Sequence, residues 1–291
     1  MADAVRRVAL ALTLAALSLA GTEAAARPAL WAVEGRGNTV WLFGSVHVLP
    51  PGGFGIEGPL ADAFAGAEQV CFEVDTSGLP EDEMTALTLA RAVDPAGRTL
   101  FELLGPEADR ARALAAAAGV ELAPFAQFEP WFVGLTVALL ALQQHGFDVE
   151  HGVEKVMEGA ADREAKRRCG LETFDEQLGF LDGLPPGLQH EILLQTLEEA
   201  GDIEAEVRAM LAAWQNGDTR ALARLLDEDF RDYPGLDDKL IYERNERWAD
   251  KVSAMLGVGD DVLLVVGALH LVGPRGLPRL LERRGYRVRR H

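Results

Sequence analysis

Two segments, "VWLFGSVHVLP" at Val40 to Pro50 and "LLVVGALHLVG" at Leu263 to Gly273, decide how this chain folds. Each is an apolar run, a glycine, two further residues and a histidine. Short apolar runs rich in valine and leucine suit strands buried on both faces of a parallel sheet. The glycine lets the chain turn sharply away from its strand, and open parallel sheets bind ligands just beyond the carboxyl ends of their strands. If the two strands lie close together, His47 and His270 converge on one site from opposite ends of the chain.

The flanking sequence supports this reading. Before Val40, two β-rich runs surround Glu34-Gly35-Arg36-Gly37-Asn38, a hairpin signal. After Pro50, a helix is expected from about Gly58 to Gly66 and a strand from Gln69 to Val74, a strand-helix-strand unit that favours a parallel pair. The middle of the chain carries helical spacing, including a run from Trp131 to Leu142 that reads as a buried core helix too short to cross a membrane. An amphipathic helix follows His151, then a short strand near Cys169 to Leu171. Pro186 to Trp214 reads as one long helix or a broken pair, Asp218 as an N-cap, and "LDDKLIYERNERWADKVSAML" as a further helix ended by Gly257 and Gly259. Strand Val262 to Val266, helix Leu277 to Arg283 and strand Tyr286 to Val288 close the chain. The expected fold is α/β, a central mostly parallel sheet in a single domain over residues 27–291, with a large α-helical insertion over about 80–255.

Arg6 and Arg7, the uncharged run Val8 to Ala20 and the small residues Ala24 to Ala26 read as a signal peptide over residues 1–26, with cleavage after Ala26. The run is shorter than the roughly 20 residues needed to span a bilayer, so no membrane insertion is expected after cleavage and the protein is exported, periplasmic or secreted. A net charge of −18 repels phosphate backbones and anionic lipid, which argues against nucleic acid and membrane surfaces as partners. The arginines from Arg275 to Arg290 read as the solvated face of a terminal helix and edge strand. Cys71 and Cys169 are placed either to pair or to remain buried thiols.

Imidazole pairs bind transition metals, and a catalytic centre usually adds a third protein ligand, often a carboxylate. Glu73 in "VCFEVD" ends the next strand and supplies one, with Asp75 on the same face. His47, Glu73 and His270 are therefore the candidate metal ligands. Ser45 lacks the Gly-x-Ser-x-Gly setting of a strand-end nucleophile. His145, His151, His190 and His291 lack partner patterns and read as surface residues.

Five blocks in order, "LWAVEGRGNTVWLFGSVHVLP", "VCFEVD", "GLETFDEQLGFLDGLP", "YERNERWADKV" and "VVGALHLVGPRGLPRLLERRGYRV", resemble the TraB/PrgY/GumN family, which includes the Tiki proteases, from Leu30 to Val288. The resemblance implies an erythromycin-esterase-like fold and a divalent-metal-dependent protease. The metal would be manganese, cobalt or zinc, and the substrate a peptide or other small extracytoplasmic molecule. It matches the Gly-x-x-His motifs to Gly44–His47 and Gly267–His270, and adds Arg244 and Asn245 as catalytic and substrate-binding groups that hold a substrate carboxylate or developing oxyanion. Glu172 resembles a family glutamate, expected as a further ligand, general base or orienting group, with Gln177 shaping the same corner. The expected function is an exported metal-dependent hydrolase acting on peptides. The alternatives are a non-catalytic periplasmic protein that binds a peptide or glycan, and a metal-free esterase-like hydrolase in which His47 and Glu73 activate water.

Overall fold

A computed structural model describes residues 28–291 except 202, 232, 234 and 258. The expected signal peptide lies outside the described residues. The chain opens with the antiparallel hairpin β1 (Leu30–Glu34) and β2 (Thr39–Ser45), in which Leu30 faces Phe43. Helix α1 (Gly58–Gly66) leads to β3 (Gln69–Val74). Helices α2 (Glu81–Ala92), α3 (Leu100–Leu104), α4 (Ala108–Ala117), α5 (Pro130–Gln144) and α6 (Val153–Arg163) precede β4 (Arg167–Glu172).

Next come α7 (Phe174–Asp182), α8 (Pro186–Glu199), α9 (Ile203–Gln215) and α10 (Thr219–Asp229). A π-helical turn, Asp238–Tyr242, runs into α11 (Glu243–Met255). Strand β5 (Val262–Gly267), a 3-10 turn at Ala268–Leu271, α12 (Leu277–Arg283) and β6 (Arg287–Arg290) complete the chain.

The six strands form one sheet in the order β4-β3-β5-β2-β1-β6. The four from β4 to β2 run parallel, while β1 pairs antiparallel with both β2 and β6. Strand β5, from near the end of the chain, lies between β2 and β3, in register with Ser45 opposite Gly267 and Phe72 opposite Val265. Alternation of side chains explains the two cores. Phe43, Val70, Phe72, Leu263 and Val265 pack on one face with α1, α6 and α9. Leu42, Cys71, Leu264 and Val266 pack on the other with α11 and α12. Helices α3, α4, α5 and α8 bury a separate cluster around Leu104, Val133 and Leu193.

The segment from Pro186 to Trp214 is a broken pair. Helix α8 ends before Gly201, whose weak helix propensity suits an interruption. Helix α5 buries only one side: Trp131, Val133 and Val137 are covered, whereas Leu135 is 42% and Leu140 45% exposed. Among the described residues no helix is long and apolar enough to cross a membrane. Cys71 and Cys169, directly opposite on β3 and β4, form a disulfide with Cα atoms 4.5 Å apart. The terminal arginines are engaged locally: Arg275 pairs with Asp238, Arg284 with Asp250, and Arg287 and Arg289 with Glu34.

Candidate functional site

The strand order lines up two glutamates and two histidines along the carboxyl edge of the sheet. Glu172 ends β4, Glu73 lies near the end of β3, His270 follows β5 and His47 follows β2. At the centre is Gly267. A Cβ there would stand 3.2 Å from Glu73 Oε1, 3.5 Å from His270 Cδ2 and 3.8 Å from His47 Nε2. The three residues expected as ligands thus surround one bare α-carbon.

Glu73 is 6% exposed. Its Oε1 accepts from the Gly267 N–H at 2.7 Å, and its Oε2 accepts from Arg244 Nη2 at 2.6 Å and Gln177 Nε2 at 3.3 Å. Burial works against the charge of Glu73. His270, Arg244, His47 and the Gly267 N–H outweigh it and hold the carboxyl well below the usual range.

His270 is 4% exposed and lies against Trp248 with ring centroids 4.3 Å apart. Its Nδ1 is 2.8 Å from Asn245 Oδ1. Asn245 Nδ2 donates to the carbonyls of His270 and Arg275, each at 3.1 Å, so Oδ1 is the acceptor that faces the ring. The proton of neutral His270 therefore sits on Nδ1, and Nε2 presents a lone pair. Burial, with Arg244 and His47 adding and Glu73 opposing, pushes the His270 pKa down to about 3, so the ring stays neutral at ordinary pH.

His47 differs in exposure. Its side chain is 62% exposed, and its Nδ1 lies 2.8 Å from Glu154 Oε1. Ser45 Oγ donates to the same oxygen at 2.5 Å. The Glu154 carboxylate beside it raises the His47 pKa to about 9. Access to the buried Glu73 and His270 is therefore on the His47 side. Sequence reasoning missed Glu154. It stands 109 residues from Ser45, in the first turn of a helix whose docking position no local pattern reveals.

Arg244, Asn245 and Glu172 lie inward of these three. Arg244 was expected to bind substrate, but its side chain is 9% exposed and its donors are committed. Its Nε donates to both Glu172 oxygens at 3.1 Å, Nη2 donates to Glu73 and to Glu172 Oε2 at 2.8 Å, and Nη1 donates to the Leu240 carbonyl at 3.1 Å. Asn245, expected to donate to the same substrate oxygen, is fully buried, with both amide hydrogens on backbone carbonyls. Glu172, expected as a ligand or base, is the counter-ion of Arg244 and also accepts from Trp248 Nε1 at 2.9 Å. The reason is common to all three: they sit beneath the rim, where a buried polar or charged group must find a partner. Gln177 does shape the Glu73 corner. Ser45 Oγ donates to Glu154, and His145 pairs with Glu204 at 3.0 Å.

Two imidazole nitrogens and a carboxylate oxygen suit a divalent transition metal. The 3.8 Å between His270 Nε2 and Glu73 Oε1 matches the span of two atoms each bonded at about 2.0–2.2 Å to one ion. Among the described residues, no three His, Cys, Asp or Glu side chains close tightly enough on one point to hold an ion as they stand. Arg244 Nη1, 3.3 Å from His270 Nε2, faces the lone pair a metal would use. Closing the set requires that guanidinium nitrogen to yield.

The model of the TraB/PrgY/gumN family matches residues 29–290. Comparison with curated proteins and with solved structures gave no match.

Proposed function

From membership of the TraB/PrgY/gumN family, to which this chain belongs over residues 29–290, we propose an exported, divalent-metal-dependent hydrolase acting on peptide bonds. The observation that carries the reading is the convergence of His47, Glu73 and His270 around Gly267. His47 Nε2, His270 Nε2 and Glu73 Oε1 would hold the ion. A divalent ion there would supply a water acidic enough to attack a carbonyl near neutral pH. Asn245 fixes the His270 tautomer, leaving Nε2 unprotonated 3.8 Å from Glu73 Oε1. Arg244 keeps Glu73 ionised and anchors its Oε2, leaving Oε1 towards the site. His47 stands at the mouth, where a substrate arrives. The Cys71–Cys169 disulfide and the expected leader suit an oxidising compartment outside the cytoplasm.

The test is to strip the mature chain with chelator, add manganese, cobalt or zinc in turn, and follow metal uptake and hydrolysis of a peptide library. His270→Ala is expected to weaken uptake by at least about a hundredfold, the upper end of the effect of losing a ligand's outer partner. Uptake equal to wild type in both His270→Ala and His47→Ala sinks the ligand assignment. Uptake without turnover makes the protein a sequestering one.

The pH dependence has a fixed sign. His47 must be neutral to bind a metal, yet Glu154 holds its pKa near 9, so ligation expels a proton at neutral pH. Apparent affinity is expected to rise about tenfold per pH unit from about 6 towards 9, for one proton released. Calorimetry in buffers of different ionisation enthalpy reads that proton directly. A flat profile removes His47 from the ligand set.

The position of Arg244 Nη1 against His270 Nε2 favours a second reading, a metal-free hydrolase in which His47 and Glu73 activate water. Hydrolysis that survives exhaustive chelation selects it.

A further inference from the structure

His47 is the only one of the three converging side chains that stands mainly in solvent, with 62% of its side chain exposed. An exposed imidazole on a loop after a strand has several rotamers open to it, and a useful site requires one of them. The structure supplies a support from a distant helix. The first turn of α6 docks on the loop carrying His47, with the Val153 N–H donating to the Val46 carbonyl at 3.0 Å. Gly152 makes that approach feasible, since a Cβ there would stand 2.2 Å from the His47 carbonyl oxygen. A second tie lies just upstream, where Leu49 and Asp148 exchange backbone hydrogen bonds at 3.2 and 3.0 Å. This double attachment delivers Glu154, half-buried at the start of α6, to His47 Nδ1 at 2.8 Å. Ser45 Oγ donates to the same carboxylate oxygen, fixing it from the strand side.

We propose that Glu154 is a positioning residue that holds His47 by Nδ1, with Ser45 steadying the same oxygen, so that His47 Nε2 faces the space shared by Glu73 and His270. The Nδ1 of His270 is held in the same manner by Asn245 Oδ1, so each ring has its own acceptor behind it. Outer partners of this kind set the tautomer and orientation of a ligating imidazole. The inference rests on the reading of this edge as the reactive site, and its test separates the two.

Nitrogen-15 spectra of the metal-free protein, recorded at a pH where His47 is neutral, show which ring nitrogen carries the proton. Wild type is expected to keep it on Nδ1. Glu154→Ala is expected to pass to the Nε2–H form that free imidazole prefers, with His270 unchanged. Glu154→Gln, which retains an acceptor oxygen, should restore the Nδ1–H form and shows that loss in the alanine variant is not misfolding. In parallel, Glu154→Ala should bind Co²⁺ about 10- to 100-fold more weakly than wild type. A wild-type neutral ring protonated on Nε2, or a folded alanine variant that keeps the Nδ1–H form, overturns the proposal. If wild type takes up no Co²⁺, the metal-dependent reading falls while the tautomer result still decides the role of Glu154.

Discussion

Arg244→Leu is expected to destabilise the protein by about 3 to 5 kcal/mol, the usual result of removing one partner from a buried ion pair. Here the loss is shared by two carboxylates. Glu73 and Glu172 have side chains only 8% and 3% exposed, and both depend on the same guanidinium. Without it they face each other as buried charges of like sign, with only weaker donors such as Gln177 and Trp248 remaining. Arg244→Lys keeps the charge but not the fork that reaches both glutamates, so only part of the stability should return.

Acid provides the control. In wild type the Glu73 carboxyl is held below its ordinary value, so its contribution is present above the unfolded carboxyl range and is lost as pH falls through the folded pKa. In Arg244→Leu the same carboxyl is shifted upward and gains by protonating. The stability gap between the proteins should therefore narrow as pH is lowered from 7 to about 4. Denaturant melts at both pH values measure this. A gap under about 1 kcal/mol at pH 7 would mean that the pairing contributes no more than an exposed ion pair.

Removing the disulfide should have a comparable effect. Cys71 and Cys169 are separated by 98 residues, and a closed loop of about 100 residues restricts the unfolded chain by about 4.7 kcal/mol in the chain-entropy account. The double variant Cys71→Ala with Cys169→Ala is expected to unfold at markedly lower guanidinium, with a stability loss near that figure. A double variant within about 1 kcal/mol of wild type would show that the loop between these strands remains ordered when unfolded. Because β4 also carries Glu172, this loss and that of Arg244→Leu should not simply add.

Much of this arrangement is legible in the sequence. Strands β2, β3 and β5 announce themselves by apolar runs ended by glycine or a carboxylate, and the paired Gly-x-x-His phrases place both histidines on one edge once the strands are taken as parallel. What escapes is every choice between distant partners. Nothing near Glu154 in the sequence states that its helix docks against the loop after β2, because the contact depends on a backbone approach at Gly152. Arg244 and Glu172 look like surface charges in their local stretches and become a buried pair only when α11 covers the end of β4. Leu135 and Leu140 mislead in the opposite sense, since apolarity around a helix does not say which side the rest of the molecule will cover.

The place of β5 between β2 and β3 has a consequence for how the protein is made. During synthesis β2 and β3 emerge well before the strand that joins them, which is encoded in residues 262–267. Until then β2 and β3 have no shared neighbour, and the early histidine has nothing to face. A nascent chain with this wiring cannot join β2 to β3 through the sheet until β5 has emerged, and only then do His47 and His270 share an edge.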